Sequence, residues 1–364
     1  DPVELKSTDE NGAAIRQNRG FLNVTGGVID GKVDVAELVE ANVTGGQFTD
    51  QDSASKLLDG DLVMDENGNV VHAGNLENVV ARVDSETFET LQVAVDAADG
   101  KTVTLLKSVQ ENVVVPENST VTLDLNGKTL NGGTVAGKAA LTNYGTVTIL
   151  DSSEGAAGTI CREDDNTAGY YTLVNAGKMY IKGGNITNHA DSSSLVINLN
   201  NQGNGVYGRN EGIEMEISGG TLIQEQFVAL KSDPNTKLTI KDGATVISGN
   251  TATNFYGEIV MEGGNVMMPG NVLILSHKQG EEEFNGSFTV TGGTLTCGEI
   301  KVWNGWSGGI TEGGPSFMVS GTADVTAEAI LMQTKASKEE APVDVFDGNG
   351  AYVEVSGGSL KTAD

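Results

Sequence analysis

The sequence is organised around a short phrase that returns along the chain, apolar-x-apolar-x-Gly-Gly-x-apolar. In one copy, Met215, Ile217 and Leu222 are apolar, whereas Glu216 and Ser218 are polar. This period-two alternation indicates a β-strand with one buried face. The paired glycines indicate a bend where a side chain would clash or where φ must be positive. The glycine pairs lie at Gly26-Gly27, Gly45-Gly46, Gly183-Gly184, Gly219-Gly220, Gly263-Gly264, Gly292-Gly293 and Gly357-Gly358.

The spacing of the phrases favours a stack of coils, because one such unit cannot bury its own apolar face. With weaker copies around Gly243 and Gly321 included, the steps from Gly183 onward run from roughly 20 to 37 residues. A parallel β-helix tolerates this variation, since each coil keeps its strands while its loops change in length. A β-propeller needs longer and more uniform repeats. We therefore predict an all-β chain folded as a parallel β-helix, that is, a solenoid.

The charge of the chain excludes one class of partner. Its 50 acidic and 22 basic residues give a formal net charge of −28, which repels a phosphate backbone. We therefore expect no nucleic acid partner, and we interpret the acidic surface as a solubility feature, with divalent-cation uptake as the alternative. There is no apolar run of membrane-spanning length, so we expect no membrane insertion in this segment.

The cysteines and histidines do not suggest a metal site or a cofactor. Cys161 and Cys297 are 136 residues apart. At about 25 residues per coil this separation is roughly five coils, or about 25 Å, which is too far for a disulfide. We expect two buried free thiols. The histidines, His72, His189 and His277, lie far apart in the sequence, and we expect them in solvent-facing loops.

Two structural units are predicted. Residues 1–79 are expected to be terminal coils of a β-helix, closed by a hairpin over residues 62–71 around Asn67-Gly68. Residues 80–364 are expected to form a second β-helix. The chain begins at Asp1 without Met and ends just after a glycine phrase, so we expect a segment of a larger secreted protein.

One short amphipathic helix is predicted near residues 87–99, at the head of the second unit. Thr87 is the expected N-cap and Gly100 the expected C-cap. Such a helix would cap the exposed end of a solenoid core. Its predicted apolar face consists of Phe88, Leu91, Val95 and Ala98. Long loops are predicted at 151–170, 188–213, 276–287 and 303–316.

Three stretches resemble a known family. They are TLQVAVDAA at 90–98, TVTLLK at 102–107 and VTLDLNGKTL at 121–130. They are similar to the pectate-lyase-like right-handed parallel β-helix modules of large surface proteins in Gram-positive gut and oral bacteria. The resemblance spans nearly the whole chain, and it implies a right-handed coil and an extracellular location at a bacterial cell surface. Because the matched residues are core and turn positions, it implies little about chemistry.

Aromatic residues supply the candidate ligand site. Trp303 and Trp306, the two tryptophans of the chain, lie in a glycine-rich stretch predicted to leave the solenoid as a loop. Exposed aromatic rings stack on sugar rings, so we predict ligand binding there. The alternative is that one or both tryptophans fold back over the core. Tyr170 and Tyr171 are weaker candidates of the same kind.

No catalytic residue is predicted. Pectin-degrading β-helices carry Asn-Thr-Asp, Gly-His-Gly and Arg-Ile-Lys motifs, none of which occurs in this sequence. The pair Asp164-Asp165, beside Arg162 and Glu163, could supply the two carboxylates of a glycosidase. Neighbouring residues in a polar loop point in different directions, however, which argues against that role.

The leading functional hypothesis is a non-enzymatic bacterial surface module. It would act as a rigid stalk or adhesin whose loops bind host glycan or a surface protein. The first alternative is a structural fibre subunit that self-associates end to end through exposed strand edges. The second alternative is a polysaccharide lyase or glycoside hydrolase.

Overall fold

The regular secondary structure of the described residues consists almost entirely of β-strands. The structure is a computed structural model, which divides the chain into two units, residues 1–109 and residues 110–364. The boundary at 79/80 expected from the sequence lies inside the first unit. The residues that the structure describes are 3–8, 12–59, 62–65, 67–72, 75–76, 78–84, 86–163, 169–201, 208, 210–279, 281–307, 313–333 and 350–362.

The first unit begins with parallel coils, as predicted for a β-helix. One apolar cluster of this unit includes Val24, Ile29, Val43 and Phe48, whose side chains are at most 9% exposed. Strands β1, β3 and β5 form one parallel sheet, and β2 and β4 form a second. These strands are β1 (Glu4–Lys6), β2 (Ala13–Gln17), β3 (Gly20–Asp30), β4 (Lys32–Val35) and β5 (Val39–Phe48).

The two glycine phrases of the first unit differ from the prediction of a bend between two strands. Each glycine pair lies inside one continuous strand, Gly26-Gly27 in β3 and Gly45-Gly46 in β5. The register between β3 and β5 shifts on either side of Thr25, as at a β-bulge. The glycines therefore serve an irregularity within a strand here, and not a corner between strands.

The predicted hairpin is confirmed. It consists of β6 (Leu62–Met64) and β7 (Val70–His72), which are antiparallel. The Asp65 carboxylate fixes the turn, because it accepts hydrogen bonds from the backbone N–H of Asn67 and from both the backbone and side chain of Asn69. A five-residue helix that the sequence pattern did not indicate, α1 (Gln51–Ser55), precedes this hairpin.

The predicted helix near 87–99 is present but shorter, as α2 (Leu91–Ala97). Thr90 is its N-cap, with the side-chain oxygen accepting a hydrogen bond from Val93 N–H, so the expected N-cap at Thr87 is wrong. Thr87 and Phe88 belong instead to a strand, because tertiary pairing overrides the helical pattern there. That strand is β9 (Glu86–Phe88), which pairs with β8 (Ala81–Val83). Strand β8 also pairs with β10 (Lys101–Leu105), both pairings are antiparallel, and α2 packs against the three strands. The two-residue strand β11 (Val109–Gln110) follows.

The second unit is a parallel β-helix in which each coil contributes a strand to each of three sheets. Strands of one sheet pair in parallel register from coil to coil. The first sheet contains β13 (Thr120–Asp124), β16 (Thr146–Leu150), β19 (Lys178–Ile181), β22 (Ile213–Ile217), β25 (Thr236–Ile240), β28 (Glu258–Met261), β32 (Ser287–Val290), β35 (Ser316–Val319) and β38 (Tyr352–Val355).

The other two sheets are built in the same way. The second contains β14 (Thr129–Asn131), β17 (Thr159–Arg162), β20 (Asn185–Asn188), β23 (Thr221–Gln224), β26 (Thr245–Ser248), β29 (Asn265–Met268), β33 (Thr294–Cys297), β36 (Asp324–Ala327) and β39 (Ser359–Thr362). The third contains β12 (Val113–Val115), β15 (Leu141–Asn143), β18 (Leu173–Asn175), β21 (Val196–Asn198), β24 (Leu230–Ser232), β27 (Thr253–Phe255), β30 (Val272–Gln279), β34 (Ile300–Ser307) and β37 (Ile330–Gln333), with β31 (Glu282–Asn285) paired to β30.

The glycine phrase marks the corner between the first and second sheets, as predicted. Gly219-Gly220 separates β22 from β23, and Gly220 has φ +79°. A Cβ at Gly220 would lie 2.5 Å from the carbonyl oxygen of Gly184, the equivalent glycine one coil earlier. Both the positive φ and the close stacking of corners therefore require glycine.

The interior of the second unit changes in chemistry along the coils. Asn143, Asn175 and Asn198 form a buried ladder, in which each of the first two amides donates to the next side-chain oxygen at 2.8 and 2.9 Å. Further along, Phe255 and Phe317 pack on either side of Phe288, with ring centroids 5.6 and 5.8 Å away. Hydrogen bonds between buried side chains stabilise one part of the interior, and packing of aromatic rings stabilises the other.

The cysteine prediction is confirmed. Cys161 in β17 and Cys297 in β33 are buried free thiols. Their strands lie five steps apart in the second sheet, as the spacing predicted.

The four predicted loops are only partly loops, because each contains a strand. Strand β17 lies within 151–170 and β21 within 188–213. Within 276–287, β30 continues to Gln279 and turns back as β31. Within 303–316, β34 continues to Ser307.

Candidate functional site

The outer face of the third sheet carries side chains that are buried although they point away from the coil interior. In the three-residue strands of this sheet the outward position is the middle residue, and the register there aligns Val174 with Ile197 and Ile197 with Lys231. Val174 and Ile197 are 2% and 4% exposed, and Leu273 on β30 is 9% exposed. Other residues must therefore cover this face.

Two apolar clusters provide that cover. In the tyrosine cluster, the rings of Tyr170 and Tyr171 meet edge to face, with centroids 5.2 Å apart. The tyrosine cluster comprises Ala139, Tyr170, Tyr171, Val174, Ile197 and Leu199. The tryptophan cluster comprises Tyr256, Leu273, Leu275 and Trp303.

A cleft of about 340 Å³ lies between the two clusters. Its volume is within the range of small-molecule sites, and its lining combines aromatic walls with a few polar groups, as such sites do. Tyr171 of the tyrosine cluster and Tyr256 of the tryptophan cluster both line it. The remaining lining residues are Ile197, Leu199, Asn201, Lys231, Ser232, Asp233, Pro234, Asn254 and His277.

Lys231 is the cation of the cleft. It occupies the outward position of β24, where the preceding coil has Ile197. Its Nζ lies 6.0 Å from the ring centroid of Tyr171 and 5.9 Å from that of Phe227, within the range of cation–π attraction. Burial lowers the pKa of Lys231, and the nearby charge of Asp233 opposes that change. The ammonium group of this lining residue is thus within cation–π distance of two aromatic rings.

Asp233 supplies an acid next to this cation. Burial raises its pKa to about 6, although the backbone N–H of Asn200 donates to its Oδ2 at 2.9 Å and the charge of Lys231 favours the ionised form. Asn200 is fully buried, and its side-chain amide bonds to the backbone of Asn210 and Pro234. The carboxyl group therefore has a fixed position and titrates close to neutral pH.

His277 lies at the edge of the cleft in β30, and not in a solvent-facing loop as the sequence predicted. Its ring stands edge-on to Tyr256, with centroids 6.0 Å apart, and stacks on Phe284 at 6.4 Å. Burial lowers the pKa of His277, which favours the neutral imidazole. His72 and His189 are exposed, as expected, but His72 lies in β7 and not in a loop.

Buried polar side chains of the second sheet fix the segments that carry the aromatic walls. The side-chain amide of Asn188 donates to the carbonyl oxygen of Tyr170 at 2.8 Å. The hydroxyl of Ser248 donates to the carbonyl oxygen of Phe227 at 3.2 Å and accepts from the backbone N–H of Ala229. The rings on both sides of Lys231 are therefore carried by anchored backbone.

The structure separates the aromatic residues that the sequence singled out. Trp303 lies in β34, 5% exposed in the tryptophan cluster, so its predicted place in a loop is wrong. The side chain of Trp306 lies outside the described part of the chain. Tyr170 and Tyr171 both belong to the tyrosine cluster, and Tyr171 lines the cleft directly. Trp303 does not line the cleft, but it belongs to the cluster against which Tyr256, a lining residue of the cleft, packs.

The acidic pair considered for catalysis, Asp164-Asp165, lies outside the described residues. Its neighbour Arg162 is 1% exposed, and its guanidinium donates to the carbonyl oxygens of Lys138 and Val135 at 2.8 and 2.6 Å. The arginine thus fastens a loop within the fold.

Lys231 and Asp233 were missed by sequence reasoning. The available signal was a lysine at the strand position that is apolar in the two preceding coils, at Val174 and Ile197. That signal can be read only once the coils are aligned in register.

Among the described residues, no group of three or more His, Cys, Asp and Glu side chains could hold a metal ion. No described helix is long and apolar enough to cross a membrane. Comparison of the chain with protein-family models, with curated proteins and with solved structures finds no match in any of the three.

Proposed function

We propose that the chain is a non-enzymatic module of a bacterial surface protein, which binds glycan in the cleft on the outer face of its β-helix. The observation that carries this proposal is that one cleft is lined by Lys231, Asp233 and the aromatic side chains of Tyr171 and Tyr256. Sugar rings have apolar faces that stack on aromatic rings, and hydroxyl groups that bind an ammonium donor and a carboxylate acceptor. The cleft offers all three kinds of group.

The surface location rests on the resemblance of residues 90–130 to the β-helix modules of large bacterial surface proteins. The parallel β-helix of the second unit is the fold that this resemblance implies. A stack of coils with a continuous core is stiff, and it presents loops at fixed heights, which suits a stalk or an adhesin.

The number of carboxyl groups that line the cleft favours glycan binding over glycoside hydrolysis. Asp233 is the one carboxylic acid among the described residues that line the cleft. Hydrolysis of a glycosidic bond uses two carboxyl groups placed across the scissile bond. The cleft offers one such group beside a cation, which supports recognition of hydroxyl groups.

The test is binding of the whole chain to a broad glycan array, with a matched pair of lysine variants. Lys231→Gln removes the ammonium group from the cleft. Lys301→Gln changes a lysine at an outward position of β34, in register with Leu273 of β30. Lys301 pairs with Glu299 at 3.1 Å and does not line the cleft. We expect the parent and Lys301→Gln to bind the same glycans and Lys231→Gln to lose them, with all three giving the same circular dichroism. Absence of binding by the parent, or equal binding by Lys231→Gln, would contradict the proposal.

A further inference from the structure

Two further hollows border the cleft and make it part of a longer groove. One, of about 940 Å³, shares Leu199 and Asn201 with the cleft. The other, of about 410 Å³, shares Tyr256 with the cleft and Gly212 with the larger hollow. Because each hollow has lining residues in common with the other two, we treat the three as one continuous groove.

The groove follows the bend between the third and the first sheet across consecutive coils. Each coil contributes a short segment just before or at the start of its first-sheet strand, from β13 through β32. Those strands are separated by six steps of about 4.8 Å, so the groove extends over about 29 Å. The contributing segments are 117–120, 144–146, 176–178, 210–214, 235–237, 256–258 and 283–285.

The lining of the groove suits hydroxyl groups. Tyr144, 50% exposed, presents its ring in the larger hollow. A side-chain amide both donates and accepts hydrogen bonds, as a sugar hydroxyl does, and asparagines recur along the groove. The asparagines are Asn118, Asn201, Asn210, Asn235, Asn254 and Asn285.

The charge of the groove disfavours an anionic ligand. The ammonium group of Lys178 pairs with Glu214 at 3.6 Å, and that of Lys237 pairs with Glu258 at 2.9 Å. Both pairs line the groove, so these lysines are already balanced. Further acids, Glu117 and Glu211 among them, leave the groove negative, which adds to the net charge of −28. A polymer of acidic sugars would be repelled.

An extended peptide fits the groove less well than a sugar chain. Peptides that bind along a β-protein commonly add a strand at an open sheet edge. In the described coils that form the groove, strands such as β16 and β19 pair with a neighbour on both sides. Their backbone groups are therefore used within the coil stack, and recognition must come from side chains.

We infer that the partner of this groove is an uncharged polysaccharide, which lies along the coils and places several consecutive sugars in contact with the protein. The inference rests on the proposed glycan-binding function, and it adds that an internal stretch of the polymer is recognised. Lys231, Asp233 and Tyr171 contact one position of the chain, and the amides and Tyr144 contact others.

The experiment measures affinity against chain length by calorimetry. The probes are neutral cello-, manno-, xylo- and chitin oligosaccharides from disaccharide to hexasaccharide, oligogalacturonides of the same lengths, and a lysine-rich peptide. For at least one neutral series, we expect affinity to rise at least about tenfold from disaccharide to hexasaccharide. Tyr144→Ala should remove about tenfold from hexasaccharide affinity and leave disaccharide affinity unchanged. Tyr352→Ala is the matched control, because Tyr352 is also 50% exposed and lies outside the groove.

The outcomes separate this inference from the function on which it rests. If a disaccharide binds as tightly as a hexasaccharide, and Lys231→Gln abolishes both, the cleft binds glycan and the groove inference is wrong. If the oligogalacturonides or the peptide bind more tightly than every neutral series, the assignment of an uncharged ligand is wrong. If no oligosaccharide binds, both the inference and the proposed function are overturned.

Discussion

Replacement of Asp233 by Asn should stabilise the protein at neutral pH while removing the carboxylate of the proposed binding cleft. The carboxyl group is buried enough that its pKa rises from 3.8 to about 6. The folded protein therefore binds this proton more tightly than the unfolded chain does. An asparagine has the same shape, carries no charge, and can still accept the hydrogen bond that Asn200 N–H donates at 2.9 Å.

The size and sign of the effect follow from proton linkage. A tenfold change in an equilibrium constant is worth about 1.4 kcal/mol, so a pKa of about 6 in place of 3.8 corresponds to about 3 kcal/mol. Above the folded pKa the carboxylate is ionised in both states, and the full cost of burying the charge is present. As the pH falls from about 6 to about 4 the folded protein takes up the proton, and the cost disappears. The pKa of about 6 already includes the favourable charge of Lys231, so about 3 kcal/mol is the upper limit of the gain. We expect Asp233→Asn to add about 1–3 kcal/mol at neutral pH and almost nothing near pH 4.

The assay is urea denaturation of parent and variant at several pH values, followed by circular dichroism. Asp242→Asn is the control, since it removes one exposed carboxylate and the same formal charge. A titration of the Asp233 carboxyl carbon by NMR gives the pKa directly. A stability difference of the same size at neutral pH and near pH 4, or a carboxyl carbon that titrates near 3.8, would refute the reasoning.

Two further substitutions test the interior of the coil stack. Asn175→Ala should lower the free energy of unfolding by about 3 kcal/mol, because it breaks the buried ladder and leaves acceptors without donors, whereas Asn265→Ala on the outer face should change it little. Gly220→Ala should cost at least about 2 kcal/mol by urea denaturation, since it combines a φ of +79° with a Cβ 2.5 Å from the Gly184 carbonyl oxygen. Gly137→Ala, with φ +68° and open space around it, measures the cost of the dihedral alone, and equal losses in the two variants would contradict the argument from close stacking.

The coil architecture was predictable because its requirements are local and repeat. A corner of this kind needs a residue that adopts a positive φ and has no side chain. In the sequence, Gly219-Gly220 shows this requirement directly after the alternating strand pattern of Met215 and Ile217. The same phrase was wrongly predicted to separate two strands where it lies inside β3 and β5. A β-bulge and a corner both require glycine locally, so the phrase does not distinguish them. Local chemistry thus identifies the bend, and only the pairing of strands identifies which kind of bend it is.

The candidate site was not predictable because its residues come from separate coils with loops of unequal length between them. Tyr171, Lys231 and His277 are more than a hundred residues apart from first to last, yet they line one cleft. Trp303 was placed in a loop since glycines follow it closely, but Leu273 and Leu275 of the preceding coil bury it. Neither contact can be read from a pattern that covers one coil at a time.

The two faces of the third sheet are under different constraints, and this difference explains where function is expected in such a chain. Inward positions must fit the coils on both sides, so Asn175 is held by Asn143 and Asn198, and a change there disturbs the whole stack. Outward positions meet only loops and solvent, and there an apolar residue such as Ile197 can be followed by a lysine in the next coil. A β-helix can therefore carry a binding cleft such as the one around Lys231 without any change to its core, so a test of function must alter outward residues and leave the inward ladder intact.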